Sequence, residues 1–307
     1  MSAPRQVLVT GATGLVGRRL VDALLRDGAT VTAPTRSPQR QAPRAGVTTT
    51  RWDGRHVEPG ALRGVDAVVH LAGEPIFGGL PTPERRRRMW ESRVDSTRAI
   101  ARAIGALSPS ERPGVFVCAS AVGYYGDRGE ESLDESSPPG EGFLADLCVE
   151  WEAAAAEVEA LAVRRVSLRF GVVLAREGGA LAMLSRVFRL GLGGRVGSGR
   201  QWFPWVHVDD AVGIARAVVA HDDYRGAVDA VAPECVRNAE FTQALARAVH
   251  RPALLPVPAF VLRAALGDIA SELLGSRRVA PRAARERDYG FAYPALAPAL
   301  VAELAIQ

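Results

Sequence analysis

The chain is predicted to be an α/β protein with a doubly wound parallel sheet, on three observations. Short apolar runs alternate with helical patterns over the first half. Those runs are β-branched and apolar on both faces, as strands buried between helix layers must be. The first of them feeds a glycine-rich turn that opens a helix, the strand–turn–helix unit of such sheets.

In chain order, residues 6–10 (QVLVT), 29–34 (ATVTAP), 66–73 (DAVVHLAG), 114–121 (GVFVCASA) and 164–170 (RRVSLRF) read as strands. Helical patterns lie between them at 14–28, 96–107 and 148–161. The run ERRRRMWESR, 84–93, follows Thr82 and Pro83, a fitting cap and first-turn pair, and reads as a helix with a solvated charged face. After Arg169 the pattern loosens into an amphipathic helix, a glycine-rich loop, and FPWVHVDDAVGIARAVVAH, a helix with Asp209 or Asp210 as its cap. One more strand is expected at 226–233, and the remainder is mostly helical and punctuated by proline.

Of 307 residues, 48% are hydrophobic and 23% charged, enough for an ordinary buried core. All 38 basic side chains are arginine, because the chain has no lysine. They are scattered without an aromatic-interleaved basic face, so nucleic acid is not an expected partner despite a pI near 9.3. No apolar run reaches the ~18 residues that a membrane span needs. Cys118, Cys148 and Cys235 lack metal-ligand spacing and suggest no disulfide framework. The strand-forming start leaves no room for a signal peptide, so a cytoplasmic protein with reduced thiols and no metal is expected.

The strongest local signal is VLVTGATGLVGRRL. Gly11 permits a tight turn, Gly14 lets backbone approach a pyrophosphate, and Gly17 lets the helix pack on the sheet. The helix N-terminus then offers free N–H groups to phosphate. The second strand ends APTRSP, and no Asp or Glu occurs between Asp27 and Asp53. A ribose-binding acid is therefore missing, and Arg36 can meet a 2′-phosphate, which favours NADP(H) over NAD. The fold class thus sharpens to a Rossmann-like sheet, spanning 1–174 and 205–233. A smaller, mostly helical C-terminal substrate domain is expected at 175–204 and 234–307.

Further motifs extend this reading: LAGEPI (71–76), SRV (92–94), SAVGYYG (120–126), FLADLCVEWE (143–152), GSGRQWFPWVHVDD (197–210), APECVRN (232–238) and RPALLPVPAFVLRAALG (251–267). With the glycine pattern, they resemble the epimerase-like family of atypical extended short-chain dehydrogenases/reductases, relatives of sugar-nucleotide epimerases with their own C-terminal domain. The resemblance covers essentially the whole chain. It implies further cofactor contacts at Thr13, Leu15 and Val16, at Asp53 near adenine, and at Leu71, Ala72 and Gly73. It also places Ala119 and Ser120 near the nicotinamide, with Phe170, Gly171 and Val172 beside its carboxamide. Gly73 is equally a plain turn, and Asp53 equally a cap for its loop.

In that superfamily a serine and a Tyr-x-x-x-Lys pair surround the nicotinamide, the ammonium lowering the tyrosine pKa. Ser120 matches the serine, but Leu144 and Cys148 stand where tyrosine and lysine belong. No alignment shift recovers a lysine. Acid/base candidates are then Tyr124 and Tyr125, whose pKa stays high without a neighbouring cation, and Glu74. Cys148 reads as a small packing residue. Arg93, Arg169, Gln201, Trp202, Trp205 and His207 form a candidate group for an anionic or sugar-nucleotide small-molecule substrate, with His207 and the tryptophans equally suited to the core. Two functions remain open: an NADP(H)-dependent epimerase or oxidoreductase acting by hydride transfer, and a catalytically inactive NADP(H)-binding regulatory protein, which the resemblance links to cell division. A homodimer is compatible with either.

Overall fold

A computed structural model describes residues 5–57, 59–76, 79 and 82–304; the outer ends of the expected domain ranges, 1–4 and 305–307, fall outside these. Seven strands form one sheet: β1 Gln6–Thr10, β2 Thr30–Thr35, β3 Val47–Arg51, β4 Ala67–His70, β5 Val115–Ala121, β6 Arg164–Phe170 and β7 Gly226–Ala230. Their spatial order is β7-β6-β5-β4-β1-β2-β3, and every pairing is parallel. The chain reverses its direction of winding between β1 and β4, which opens a crevice at their carboxyl ends.

Helices α1 Leu15–Arg26, α2 Pro83–Trp90, α3 Ser96–Gly105, α4 Phe143–Ala156, α5 Gly179–Arg189 and α6 Val208–Ala220 follow. Further on lie α7 Asn238–Ala248, α8 Ala259–Leu266, α9 Ala270–Leu274, α10 Arg282–Arg285 and α11 Leu296–Leu304. One sheet face buries Ile100, Ile104, Leu147 and Trp151 from α3 and α4. The other buries Leu20, Leu24, Ile214 and Val218 from α1 and α6. A third core joins Leu181, Phe188, Trp205, Phe241, Leu245 and Leu300 in the C-terminal region.

Four expectations need correction. β3 is absent from the expected strands, because VTTTR carries little apolar signal; it forms at the sheet edge, where half-burial suffices. Helix α4 begins at Phe143 rather than 148, so Leu144 and Cys148 share its first two turns. Neither Asp209 nor Asp210 caps α6: the N-cap is His207, whose Nδ1 accepts from Asp209 N at 3.1 Å. Thr82 does cap α2, accepting from Arg85 N, but the charged run is not wholly solvated. Arg85 turns inward and donates to the carbonyls of Pro75 and Ile76.

Candidate cofactor cleft and active site

The glycine loop is a cradle that side chains would fill. A β-carbon on Gly11, whose φ is +67°, would lie 2.8 Å from the Leu71 carbonyl carbon and 2.9 Å from Ala72 N. On Gly17 it would lie 2.1 Å from Gly11 O. Gly14 closes the turn by donating to Gly11 O at 2.8 Å, and it caps α1 without a side chain, leaving the helix N-terminus open to an anion. Leu15 and Val16 occupy the first turn, and Leu15 reaches the Gly178–Gly179 turn.

Beyond the loop, a pocket is lined by Gly11, Thr13, Arg18, Thr35, Gln41 and Arg44 among others, with no acid in its wall. Arg44 is paired to Asp22 at 2.5 Å, which leaves Arg18 as the cation aimed at this pocket without a carboxylate partner among the described residues. Arg36 is exposed at the end of β2, beside the pocket residue Thr35. Behind β1 and β2 a second cavity of about 350 Å³ is lined by Leu8, Thr10, Thr50, Trp52 and Ile100. Asp53, next to the lining residue Trp52, has its carboxylate turned to its own loop, accepting Arg55 N at 2.7 Å and His56 N at 2.9 Å. Those two N–H groups hold its pKa down to about 2.

A buried polar chain fixes the joint between β1 and β4. Thr10 Oγ1 and His70 Nδ1 are 2.6 Å apart, His70 Nε2 and Ser96 Oγ are 3.1 Å apart, and Ala72 N donates to Thr10 Oγ1. Burial, and then the charge of Arg93, push the His70 pKa down to about 3, so its ring is neutral. The result is a rigid Leu71–Gly73 edge beside the glycine loop.

At the far end of the crevice Ser120 ends β5, but its hydroxyl is already committed. It donates to Glu152 Oε1 at 2.7 Å, and the side chain is buried. Glu152 also receives two guanidinium bonds of 2.8 Å from Arg169. Arg169 donates in turn to Tyr125 Oη, which lies 2.8 Å from Asp229 Oδ2. Tyr125 therefore has the neighbouring cation that its sequence context lacked. Burial, followed by the charge of Asp229, nevertheless keeps its pKa above the ordinary tyrosine value, and its hydroxyl is sealed from the cleft. Tyr124 packs its ring 3.5 Å from the Arg169 guanidinium carbon. Arg169 is thus spent on Glu152 and the tyrosines rather than held out to a substrate.

Arg93 is placed differently. It is buried beside Gly73 and against Trp151, and among the described residues it donates to the backbone carbonyls of Glu74 and Met89 and to Ser92 Oγ. Among the described residues it forms no ion pair; burial lowers its pKa, and the Glu74 carboxylate acts the other way. Cys148, on the facing helix, has its thiol pushed up to about 12 by burial and then by Glu152 and Glu272, so it stays protonated. Glu74 is half-buried at the cleft edge, its backbone N–H given to Ser92 Oγ and its carboxylate 3.9 Å from Arg88.

Comparison with known proteins agrees with this geometry. The model of the NAD dependent epimerase/dehydratase family matches residues 7–230, and a domain of unknown function, DUF1731, matches 257–303. The chain belongs to the NAD dependent epimerase/dehydratase family. It is 38% identical over 303 residues to an Arabidopsis thaliana protein named as a chloroplastic homologue of epimerase family protein SDR39U1, covering 96% of this chain and 85% of that one. It is 36% identical to the human epimerase family protein SDR39U1, covering 96% and 98%. The crystal structure of human SDR39U1, isoform 2, with NADPH superposes with a TM-score of 0.85 at 34% identity, over 97% of this chain and 99% of that one. A nucleoside-diphosphate sugar epimerase from Corynebacterium glutamicum superposes with a TM-score of 0.80 at 32% identity, over 98% of this chain and 58% of that one.

As an epimerase-family chain it keeps the cofactor cradle but scatters the expected substrate group. Trp205 is core, its Nε1 donating to Glu234 O. Gln201 donates to the carbonyls of Val196 and Leu273 and braces the glycine-rich loop. His207 is buried, with Nε2 3.1 Å from Glu303, and ties α11 to α6. These three are structural because each spends its polar atoms inside the protein. Trp202 is half-exposed, donating to Glu130 and stacked on Arg237. Phe170 ends β6 between the two sheet cores, and Gly171 lets Pro204 O pass at 3.0 Å from where a β-carbon would be. Val172 begins a short strand paired with 205–207.

Sequence reasoning passes over Arg18, Glu152 and Glu272. Arg18 follows the third glycine directly, and Glu152 lies one turn past Cys148, so both carry a spacing signal. Glu272 has none. No helix of the described chain is long and apolar enough to cross a membrane.

Proposed function

We propose that the chain is an NADP(H)-dependent epimerase-type oxidoreductase that acts by hydride transfer on a small molecule of the anionic or sugar-nucleotide class. The observation that carries this reading is Arg93. A guanidinium buried near the carboxyl end of β4, with no ion-pair partner among the described residues, is costly unless it serves a ligand. It stands across from Cys148, so it supplies a cation near the family position that has lost its lysine.

The cradle fits the dinucleotide. Gly11, Gly14 and Gly17 admit a pyrophosphate against the α1 N-terminus. Arg18 and Arg36 suit a 2′-phosphate in an acid-free pocket. When bound, the cofactor supplies or accepts hydride at its nicotinamide. The chain's own residues do the rest. Arg93 holds an anionic or hydroxyl-bearing group, Ser120 and Glu152 fix the end of β5, and the region formed by 175–204 and 234–307 closes the substrate side. A protomer pair is the assembly that goes with this reading.

A second reading, an NADP(H)-binding regulatory protein without chemistry, is favoured by Leu144 and Cys148, which offer no ionisable proton near pH 7. One experiment separates the two. The protein is incubated with NADPH or NADP+ and a panel of nucleoside-diphosphate sugars and small carbonyl acids, following absorbance at 340 nm and sugar epimers by NMR. Turnover of any member that is lost in Arg93→Met supports the enzyme. Tight NADPH binding with no turnover across the panel favours the regulator.

A further inference from the structure

We propose that Glu272, delivered by α9 across the C-terminal region, is the proton donor and acceptor that replaces the missing tyrosine; this rests on the hydride-transfer reading above. The argument begins at Gly123, in the turn that follows β5. A methyl group built there would lie 3.4 Å from Glu272 Oε2, 3.7 Å from Leu144 Cβ and 3.8 Å from Cys148 Sγ. The carboxylate and the two family positions therefore surround one point. Leucine and cysteine vacate volume and charge, and a carboxylate from a distant segment fills the space.

Its support is built in. Ile269, just before α9, joins the same buried cluster as Leu144, Leu147 and Trp151, which anchors the segment on α4. Arg277, almost wholly buried, lies 3.3 Å from Glu272 Oε2. It spends its other donors on the carbonyls of Gly126, Ser271 and Glu272 itself. Glu272 Oε2 is buried yet has no hydrogen-bond partner among the described residues. Its one contact, with Arg277, is an ion pair without hydrogen-bond geometry, which leaves a lone pair free as a proton acceptor requires. The rivals differ in their partners: Tyr125 Oη is hydrogen-bonded to both Asp229 and Arg169, and Glu74 sits at the rim beside Arg88.

The step balances simply. A substrate secondary alcohol loses hydride from carbon to oxidised nicotinamide and its hydroxyl proton to Glu272 Oε2, leaving a carbonyl. Run backwards, the carbonyl carbon gains hydride from NADPH and its oxygen gains the proton from the Glu272 carboxylic acid. Cys148 stays a neutral thiol, and Arg93 supplies the nearby positive charge.

The test needs no substrate. The oxidised nicotinamide ring carries a positive charge and the reduced ring does not, so a carboxylate beside it favours NADP+ over NADPH. Kd for both is measured by calorimetry on the full chain and on Glu272→Gln, with Glu130→Gln as a surface control. We expect the ratio Kd(NADP+)/Kd(NADPH) to rise about fivefold or more in Glu272→Gln, with NADPH affinity kept and the control unchanged. If the Gln variant does not fold, Glu272→Asp carries the test: it keeps the partner of Arg277 but withdraws the charge by one methylene, and the ratio should rise about twofold. A parent-like ratio in a folded variant overturns the role of Glu272 and leaves the hydride-transfer reading standing. Failure of the parent protein to bind either nucleotide overturns both.

Discussion

Ser120 Oγ donates a 2.7 Å hydrogen bond to Glu152 Oε1, and Glu152 lies one helical turn beyond Cys148 on α4. The face of α4 that holds the family's tyrosine and lysine positions therefore runs Leu144, Cys148, Glu152, with a negative charge one turn beyond the lysine position. There it is paired with Arg169 at 2.8 Å, both side chains nearly sealed from water. Removing one partner of such a pair strands a buried charge. Glu152→Ala should lose about 3–5 kcal/mol of stability, read from urea unfolding. Ser120→Ala should lose only about 1 kcal/mol, and Tyr125→Phe about 1–3 kcal/mol because Asp229 loses its partner. NADPH affinity should survive both of the milder changes. A Ser120→Ala protein with intact stability but no NADPH binding would show that the hydroxyl faces the cofactor instead.

Cofactor choice should follow the arginines at the end of β2 and the start of α1. Arg18→Ala and Arg36→Asp are each expected to weaken NADPH binding by about 1–3 kcal/mol, the scale of one charge-assisted contact, while NADH binding is little changed. Fluorescence titration with both nucleotides measures this. Equal affinity of the parent for NADH and NADPH would refute it.

Cys148 should be inert. Its thiol is pushed up to about 12, so almost no thiolate exists at pH 8. Iodoacetamide should leave it unmodified in the folded protein, as read by peptide mass spectrometry. Cys148→Ala should keep both cofactor affinity and any turnover. A drop in turnover of about a hundredfold with folding intact would make it a chemical residue.

His70 predicts an acid limb of stability. Its folded pKa is lowered to about 3, against the ordinary value of 6.5. Below 6.5 the unfolded chain takes up a proton that the folded chain refuses. The stabilisation is therefore fully present above 6.5 and is lost as pH falls toward 3. The slope should approach about 1.4 kcal/mol per pH unit. Unfolding free energies at pH 7, 6, 5.5 and 5 should fall more steeply for the parent than for His70→Gln. Parallel slopes would mean that His70 protonates without cost and is not held as the neutral link between Thr10 and Ser96.

The glycine loop was legible because its signals are local. Gly11, Gly14 and Gly17 are required by contacts within a few residues of each other or with the adjacent strand, and the missing acid after β2 is a statement about one short loop. The substrate half was not. Gln201, Trp205 and His207 have the residue types of a binding group, yet each turns its polar atoms onto carbonyls or Glu303 inside the protein. Side-chain direction at a junction depends on which segment packs opposite, and sequence spacing carries no information about that.

The sequence by itself determined the parallel sheet, the glycine cradle, the arginine-only basicity and the loss of the Tyr-x-x-x-Lys pair, because strand alternation, turn chemistry and residue identity are properties of neighbours along the chain. Only the tertiary structure decided that Tyr125 is sealed, that Arg169 is neutralised by Glu152, that Arg93 is buried with no ion-pair partner among the described residues, and that Glu272, Leu144 and Cys148 meet at Gly123. Each of those four depends on groups far apart in sequence meeting in a water-poor interior. There a partner a few ångströms away decides whether a charge is stabilised, silenced or left ready to act.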